Sequence, residues 1–165
     1  MTSFHESMME FRQQLERGTL QQAYAGLMAY VRDLRSHFMK THPDYKPTGI
    51  YYGYMDMTYF ALVPESLKAR KLKIAIVFDY DTFRFEVWLS GANRKVQVDY
   101  AQRIREHGWD AYHLAESPGT MESILDHVLV EVPDFRDLDA LTADIQRGTL
   151  AFLHDVEQFL QECPE

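Results

Sequence analysis

Residues 71–91 (KLKIAIVFDYDTFRFEVWLSG) constrain the fold more than any other stretch, because their apolar residues alternate along two consecutive runs. The first run has its apolar series at Leu72, Ile74, Ile76 and Phe78. The second run has its series at Phe83, Phe85, Val87 and Leu89. A period of two is that of a β-strand, in which successive side chains point to opposite faces. The stretch 79–82 between the runs is rich in aspartate and typical of a turn, so the segment predicts a β-hairpin.

The stretch 50–63, upstream of the hairpin, is dense in aromatic residues and methionine and contains one acid, Asp56. We predict a further strand here, and Gly53 within it indicates a bulge or a close approach of another backbone. Two interpretations of its tyrosines stay open. Either they cover a sheet face with their hydroxyls in water, or they line a ligand pocket in which Asp56 is the polar group.

Apolar residues at three- and four-residue spacing predict helices on both sides of this sheet region. The predicted elements are N-terminal helices over 3–40, a sheet region over 50–91, a helix over 93–107, a strand over 111–115 and C-terminal helices over 120–162. Ser3 and Glu6 fit a capping box at the start of the first helix. The apolar stripe of that helix consists of Phe4, Met8, Phe11 and Leu15.

The segment 120–132 fits two assignments. Its apolar residues have helical spacing, with Thr120 as the cap and Pro133 as the stop. Residues 128–132 (VLVEV), taken alone, would pass for a strand. We favour the helix because its pattern is longer than the β-like piece, and we predict a turn at 117–119 before it.

The order of elements is then two helices, three strands, a helix, a strand and two helices. Three consecutive strands with short links should pair as an antiparallel meander, whereas a fourth strand that follows a helix can run parallel to its neighbour. The predicted fold class is α+β, with a mixed four-stranded sheet packed by helices. A chain of 165 residues is long enough to form this as one domain with its own core.

Composition narrows the classes of function. The formal net charge is -8, so we expect no general nucleic-acid binding, which needs a positive surface. The single cysteine, Cys163, has no partner for a disulfide within the chain. The first residues lack the basic and apolar regions of a signal peptide, and no apolar run approaches the ~20 residues of a membrane span. We therefore expect a cytoplasmic protein without a membrane association.

No motif in the chain indicates catalysis or a cofactor. The sequence contains neither Gly-x-Ser-x-Gly nor a phosphate loop nor Gly-x-Gly-x-x-Gly. His113 lies near Glu116, and Asp126 is next to His127, but neither pair has the spacing of a known metal site such as His-Glu-x-x-His. We predict no catalytic residue, no metal ligand and no cofactor.

Three stretches together resemble a family of small bacterial proteins of unknown function. They are YYGYMDMTYF at 51–60, LKIAIVFDYDTFRFEVWLSG at 72–91 and VEVPDFRDLDALT at 130–142. The resemblance would cover most of the chain, and it implies no activity and no functional residues.

The order of helices and strands also resembles the core of restriction-endonuclease-like nucleases. In such enzymes an acid on one strand and an acid-x-Lys pair on the next hold a metal ion that activates water. The nearest acids here are Asp79 and Glu86, and the position two after Glu86 is Trp88 rather than lysine. The resemblance is an analogy of topology and implies at most a divergent or inactive relative.

We predict that the protein binds a small molecule or a protein partner through its aromatic sheet region and is not an enzyme. The candidate ligand-binding residues are Tyr52, Tyr54, Asp56, Arg84, Glu86 and Trp88. The alternative is a metal-dependent nuclease or another hydrolase, for which Asp56, Asp79 or Glu86 would have to meet in one cleft. A third hypothesis is self-association, because an exposed apolar stripe on the terminal helices would favour a homodimer.

Overall fold

The computed structural model describes residues 1–116 and 123–163. Its helices are α1 (Phe4–Arg17), α2 (Thr19–Thr41), α3 (Glu65–Lys68), α4 (Arg94–Glu106) and α5 (Leu138–Glu162), with a short 3-10 helix at Pro43–Tyr45. Its strands are β1 (Met57–Leu62), β2 (Leu72–Asp79), β3 (Arg84–Gly91), β4 (His113–Leu114) and β5 (Leu125–Val130). The protein therefore has the predicted α+β class.

The chain divides into two compact units, Met1–Leu34 and Arg35–Glu165. The interpretation of residues 1–165 as a single domain stays a prediction.

The first unit contains α1 and most of α2. The predicted capping box is present: the backbone N–H of Glu6 donates to Ser3 Oγ, and the backbone N–H of Ser3 donates to Glu6 Oε2 at 2.7 Å. Gly18 ends α1 in the left-handed conformation (φ 76°), and its N–H donates to the carbonyl of Leu15. No residue of α1 is buried.

The second unit is built on a sheet of five strands in the order β1-β2-β3-β5-β4. All four neighbouring pairs are antiparallel. The predicted hairpin is confirmed as β2 and β3, which pair from Leu72↔Gly91 to Asp79↔Arg84. The expectation of a mixed sheet with four strands is wrong, because a fifth strand enters the sheet and no described pair is parallel.

The fifth strand is β5, which lies within the segment predicted to be a helix. The prediction of a helix over 120–132 is therefore wrong for its described part. Between β3 and β4, the backbone of β5 forms hydrogen bonds on both sides, and this pairing outweighs a helical spacing of apolar residues. The predicted cap at Thr120 and the predicted turn at 117–119 lie outside the described residues.

Two further boundaries differ from the prediction. The aromatic strand is shorter than 50–63, because β1 starts at Met57 and only an isolated bridge, Tyr51↔Tyr59, precedes it. The strand expected over 111–115 is reduced to the two residues of β4 at the sheet edge. The C-terminal helix α5 is continuous through Gly148, where an added Cβ would come within 2.7 Å of the Leu129 side chain.

The core of the second unit lies on one face of the sheet. Register places Phe60, Ile76 and Val87 on that face. The ring of Phe38, at the end of α2, lies 6.1 Å from the ring of Phe60. Phe152 of α5 is fully buried and belongs to the same core. By the same register, Tyr59, Val77, Glu86 and Val128 share the opposite face, which carries the candidate site.

Candidate functional site

Three of the predicted ligand-binding residues form one network on β3. Arg84, Glu86 and Trp88 alternate along the strand, so their side chains share a face. Glu86 accepts from Arg84 Nε through Oε2 and from the Trp88 indole N–H through Oε1, both at 3.1 Å. Arg84 Nη1 also donates to both carboxylate oxygens of Glu131 at 3.1 Å. The structure therefore brings these residues together and adds Glu131.

Exposure differs within this network. The side chain of Glu86 is 8% exposed and that of Arg84 26%, whereas that of Glu131 is 66% exposed. Hydrogen bonds from the guanidinium to Glu86 and Glu131 raise the pKa of Arg84 against the opposing effect of burial. A buried carboxylate is stable only when it is paired and hydrogen-bonded, and Glu86 has a cation and an indole donor.

An open cleft of about 700 Å³ adjoins the network. It is lined by Arg84, Asp110, Ala111, Tyr112, His113, Asp126, His127 and Val128. The register His113↔Asp126 and Asp126↔Trp88 places the side chains of His113, Asp126 and Trp88 in one row across β4, β5 and β3. His113 Nδ1 lies 3.0 Å from Asp126 Oδ1, so the row begins with an imidazole–carboxylate pair.

Tyr112 gives the cleft a neutral aromatic wall. Its hydroxyl donates to Asp155 Oδ2 at 2.6 Å. Burial and this hydrogen bond to a carboxylate raise the pKa of Tyr112 well above its ordinary value, so the phenol stays protonated. Its ring centroid is 4.9 Å from that of His127 in an edge-to-face arrangement. The cleft therefore combines carboxylates with aromatic surface.

The other predicted binding residues lie in a loop before β1. Tyr52 and Tyr54 are exposed there, Tyr54 at 92%. Asp56 Oδ1 accepts from the backbone N–H of Tyr54 at 2.8 Å, and this bond, with another from Met57 N–H, lowers the pKa of Asp56. Gly53 has φ +76°, and an added Cβ would overlap the carbonyl oxygen of Met57. Asp56 therefore orders its own loop.

The structure does not join these two groups of residues. The register Met57↔Asp79 and Asp79↔Arg84 places the loop at the same end of the sheet as Arg84, but β2 lies between them. Two strand spacings correspond to about 10 Å. Within residues 1–116 and 123–163, no hydrogen bond or ion pair links Tyr52, Tyr54 or Asp56 to the β3 network.

The carboxylates of the hydrolase hypothesis are engaged separately. Asp56 bonds within its loop, Asp79 Oδ1 accepts from the backbone N–H of Asp81, and Glu86 is held by Arg84 and Trp88. In the described part of the chain, no three His, Cys, Asp or Glu side chains are grouped so that they could hold a metal ion. The convergence that the hypothesis requires is not found among these residues.

Sequence reasoning missed most of the cleft. His113, Asp126 and His127 were considered only as metal ligands, and Asp110 and Tyr112 were not considered. The reason is the wrong helix over 120–132, which separates residues that β5 and β4 bring together. The available signal was the run VLVEV, whose β-branched residues fit a strand.

The fold and site together define an α+β protein with an antiparallel sheet, one face of which carries a charged network beside a polar cleft. The chain belongs to a family described as a domain of unknown function, DUF7000, whose model matches residues 4–160. This confirms the predicted resemblance to an uncharacterised family. No curated protein and no solved structure matches the chain, so the resemblance to restriction-endonuclease-like nucleases gains no support.

Among the described residues, every helix is too short or too polar to traverse a lipid bilayer.

Proposed function

We propose that this protein is a non-enzymatic, cytoplasmic binding protein whose cleft accepts a positively charged group of a small molecule or protein partner. The observation that carries the proposal is the distribution of charge around the cleft. Two carboxylates, those of Asp110 and Asp126, line the cleft, and the one guanidinium in its lining, that of Arg84, is itself paired with two more, Glu86 and Glu131. An ammonium or guanidinium group entering the cleft would meet an excess of negative charge.

Arg84 is poorly suited to bind an anionic ligand. Its Nε and Nη1 already donate to two carboxylates, so an anion that approached Nη2 would also meet the negative charges of Glu86 and Glu131. Displacing Glu86 would leave a buried carboxylate without its cation, which is unfavourable by several kcal/mol. This supports a cation rather than an anion as the ligand group.

The aromatic wall also suits a cation. A cation over an aromatic face is attracted by the ring quadrupole, by about 0.5–2 kcal/mol depending on desolvation. Tyr112 lines the cleft and keeps its phenol neutral, and His127 lies beside it. The class of ligand we propose is therefore an organic amine or guanidinium, or a lysine or arginine side chain of a partner.

The loop residues Tyr52, Tyr54 and Asp56 enter this proposal as contacts of a larger partner only. They lie two strand spacings, about 10 Å, from Arg84 and do not line the cleft. Exposed tyrosines are frequent anchors in protein interfaces, and Tyr54 is almost fully exposed.

The test is a calorimetric titration with agmatine, which carries one guanidinium and one primary amine, beside succinate, which carries two carboxylates. We expect agmatine to bind and succinate not to bind. Asp110→Asn and Asp126→Asn should each weaken agmatine binding about tenfold, the equivalent of one charge-assisted hydrogen bond. Added salt should weaken it further.

The matched control is Asp99→Asn, an equal change of charge at an exposed position of α4 outside the cleft. It should leave the affinity for agmatine unchanged. Binding of succinate, or agmatine binding that Asp99→Asn weakens as much as Asp126→Asn does, would contradict the proposal.

A further inference from the structure

The helix α1 presents an apolar stripe of which three residues are exposed and the last, Leu15, is half-buried. Phe4, Met8, Phe11 and Leu15 follow one another at spacings of four, three and four residues, which is the seam of a helix that packs against another helix. Phe4 is 82% exposed, Met8 45% and Phe11 42%. A stripe of this regularity on a well-capped helix is typical of an interface.

An isolated helix of this length is only marginally stable in water. The nucleation of a helix is unfavourable, and below about 12–15 residues most helical stability comes from packing of an apolar face. The 14 residues of α1 have no buried member. Its capping box and the exposed Arg12–Glu16 pair contribute too little to replace a packed face.

The charges beside the stripe indicate what covers it. The residues that flank the stripe on the helical wheel are His5, Ser7, Arg12 and Gln14. None of them is acidic, although the whole chain has a net charge of -8. Along this seam two copies of an acidic chain can approach without bringing carboxylates face to face. A lipid surface fits less well, because the opposite face carries two acids, Glu6 and Glu10, against one base, Arg17.

The spacings between the stripe residues (four, three and four) are the same in both directions along the helix. In an antiparallel pair with two-fold symmetry, Phe4 would lie against Leu15 of the second copy and Met8 against Phe11 of the second copy. Each contact then combines an aromatic with an aliphatic side chain. Antiparallel helices also place opposite ends of their macrodipoles together.

We infer that α1 is a self-association surface through which two copies of this chain pair as antiparallel helices. The inference does not depend on the cleft, because none of the cleft residues lies in α1.

Sedimentation equilibrium of the full chain tests the inference. The wild-type mass should rise with concentration from 19.4 kDa towards twice that value. Phe11→Glu should raise the dimer dissociation constant by about a hundredfold or more, because the two-fold axis places the new charge in the interface twice. Circular dichroism serves to show that this variant is folded.

The control is Gln13→Glu, which adds the same charge on the opposite side of α1. It should dimerise as the wild type does. A wild type that stays monomeric at every concentration would overturn the inference. Equal dimerisation of Phe11→Glu and Gln13→Glu would do the same, since the dimer would then use another surface.

Disulfide trapping tests the orientation. In a Cys163→Ser background, a Met8→Cys protein is mixed with a size-tagged Phe11→Cys protein under mild oxidation. Antiparallel pairing should yield mostly the mixed disulfide, because it brings these two positions within bridging distance. A majority of like-with-like disulfides, or no specific disulfide, would contradict the arrangement.

Flotation with vesicles of anionic phospholipid distinguishes a lipid surface from a second copy. We expect the wild-type protein to stay with the soluble fraction. Vesicle binding that Phe11→Glu abolishes and Gln13→Glu preserves would overturn the inference in favour of a membrane surface.

Discussion

The loop of residues 51–56 and the network on β3 were both predicted as binding regions, yet they are built in different ways. In the loop the tyrosine side chains are exposed, and the order comes from backbone hydrogen bonds such as that of Tyr54 N–H to Asp56. On β3 the side chains of Arg84, Glu86 and Trp88 bond to one another while partly buried.

This comparison shows that a segment rich in aromatic residues does not by itself hold their side chains in a fixed geometry. The side chain of Tyr54 is 92% exposed, so binding through it carries the entropic penalty of ordering that side chain. The network is ordered before any ligand arrives, because each buried polar group holds the next. Substitutions should therefore affect the two regions unequally.

The largest effect is expected for Glu86→Ala. It removes the acceptor of the Trp88 indole and the more buried of the two anions that pair with Arg84, so it should lower the free energy of unfolding by about 3 kcal/mol. Urea denaturation followed by circular dichroism measures this. Glu131→Ala removes an exposed partner of the same guanidinium and should change stability by less than about 1 kcal/mol. Equal losses in both variants would show that burial does not distinguish the two carboxylates.

In the loop, the stability of the protein should depend on the backbone conformation more than on the tyrosine side chains. Gly53→Ala adds a Cβ against the Met57 carbonyl in a left-handed conformation and should destabilise the protein by about 2 kcal/mol. Gly108 has a similar φ of +61° but nothing within 4 Å of an added Cβ. Gly108→Ala should lower stability by about 1 kcal/mol, from backbone strain alone. A Gly53→Ala variant no less stable than Gly108→Ala would mean that the loop accommodates the added Cβ by a small backbone shift.

The carboxylate of Asp56 should make the loop sensitive to acid. Backbone N–H donors lower its pKa below 3.8 in the folded protein, so its contribution is present at neutral pH. That contribution is lost as the pH falls through 3.8 towards the lower folded value. Unfolding midpoints of wild type and Asp56→Asn should differ at neutral pH and converge in acid. A difference that is independent of pH would indicate a steric cause.

The smallest effect on stability is expected for Tyr54→Ala. A side chain that is 92% exposed has almost no packing to lose, so the change should stay within about 0.5 kcal/mol. A loss comparable to that of Glu86→Ala in the same urea experiment would contradict the comparison of the two regions.

Local patterns predicted the β2–β3 hairpin, the capping box of α1 and the grouping of Arg84, Glu86 and Trp88. Each of these depends on residues within a few positions of one another. The antiparallel meander of β1, β2 and β3 was also predicted, because short links leave little other choice.

The cleft could not be predicted in this way. Its walls combine Arg84 with residues near 110 and near 126, and only the entry of β5 between β3 and β4 brings them together. In the sequence of β5 the helical and strand patterns overlap, so its neighbours in the sheet decided between them.

The sequence by itself determined the elements whose stability is local: alternation along β2 and β3, the cap of α1 and the apolar stripe behind it. The tertiary structure decided which strand lies beside which, and therefore that Glu131 pairs with Arg84 and that Asp110 and Asp126 line the same cleft. The physical reason is that strand pairing joins residues distant in the chain through backbone hydrogen bonds, which carry little information about side-chain identity.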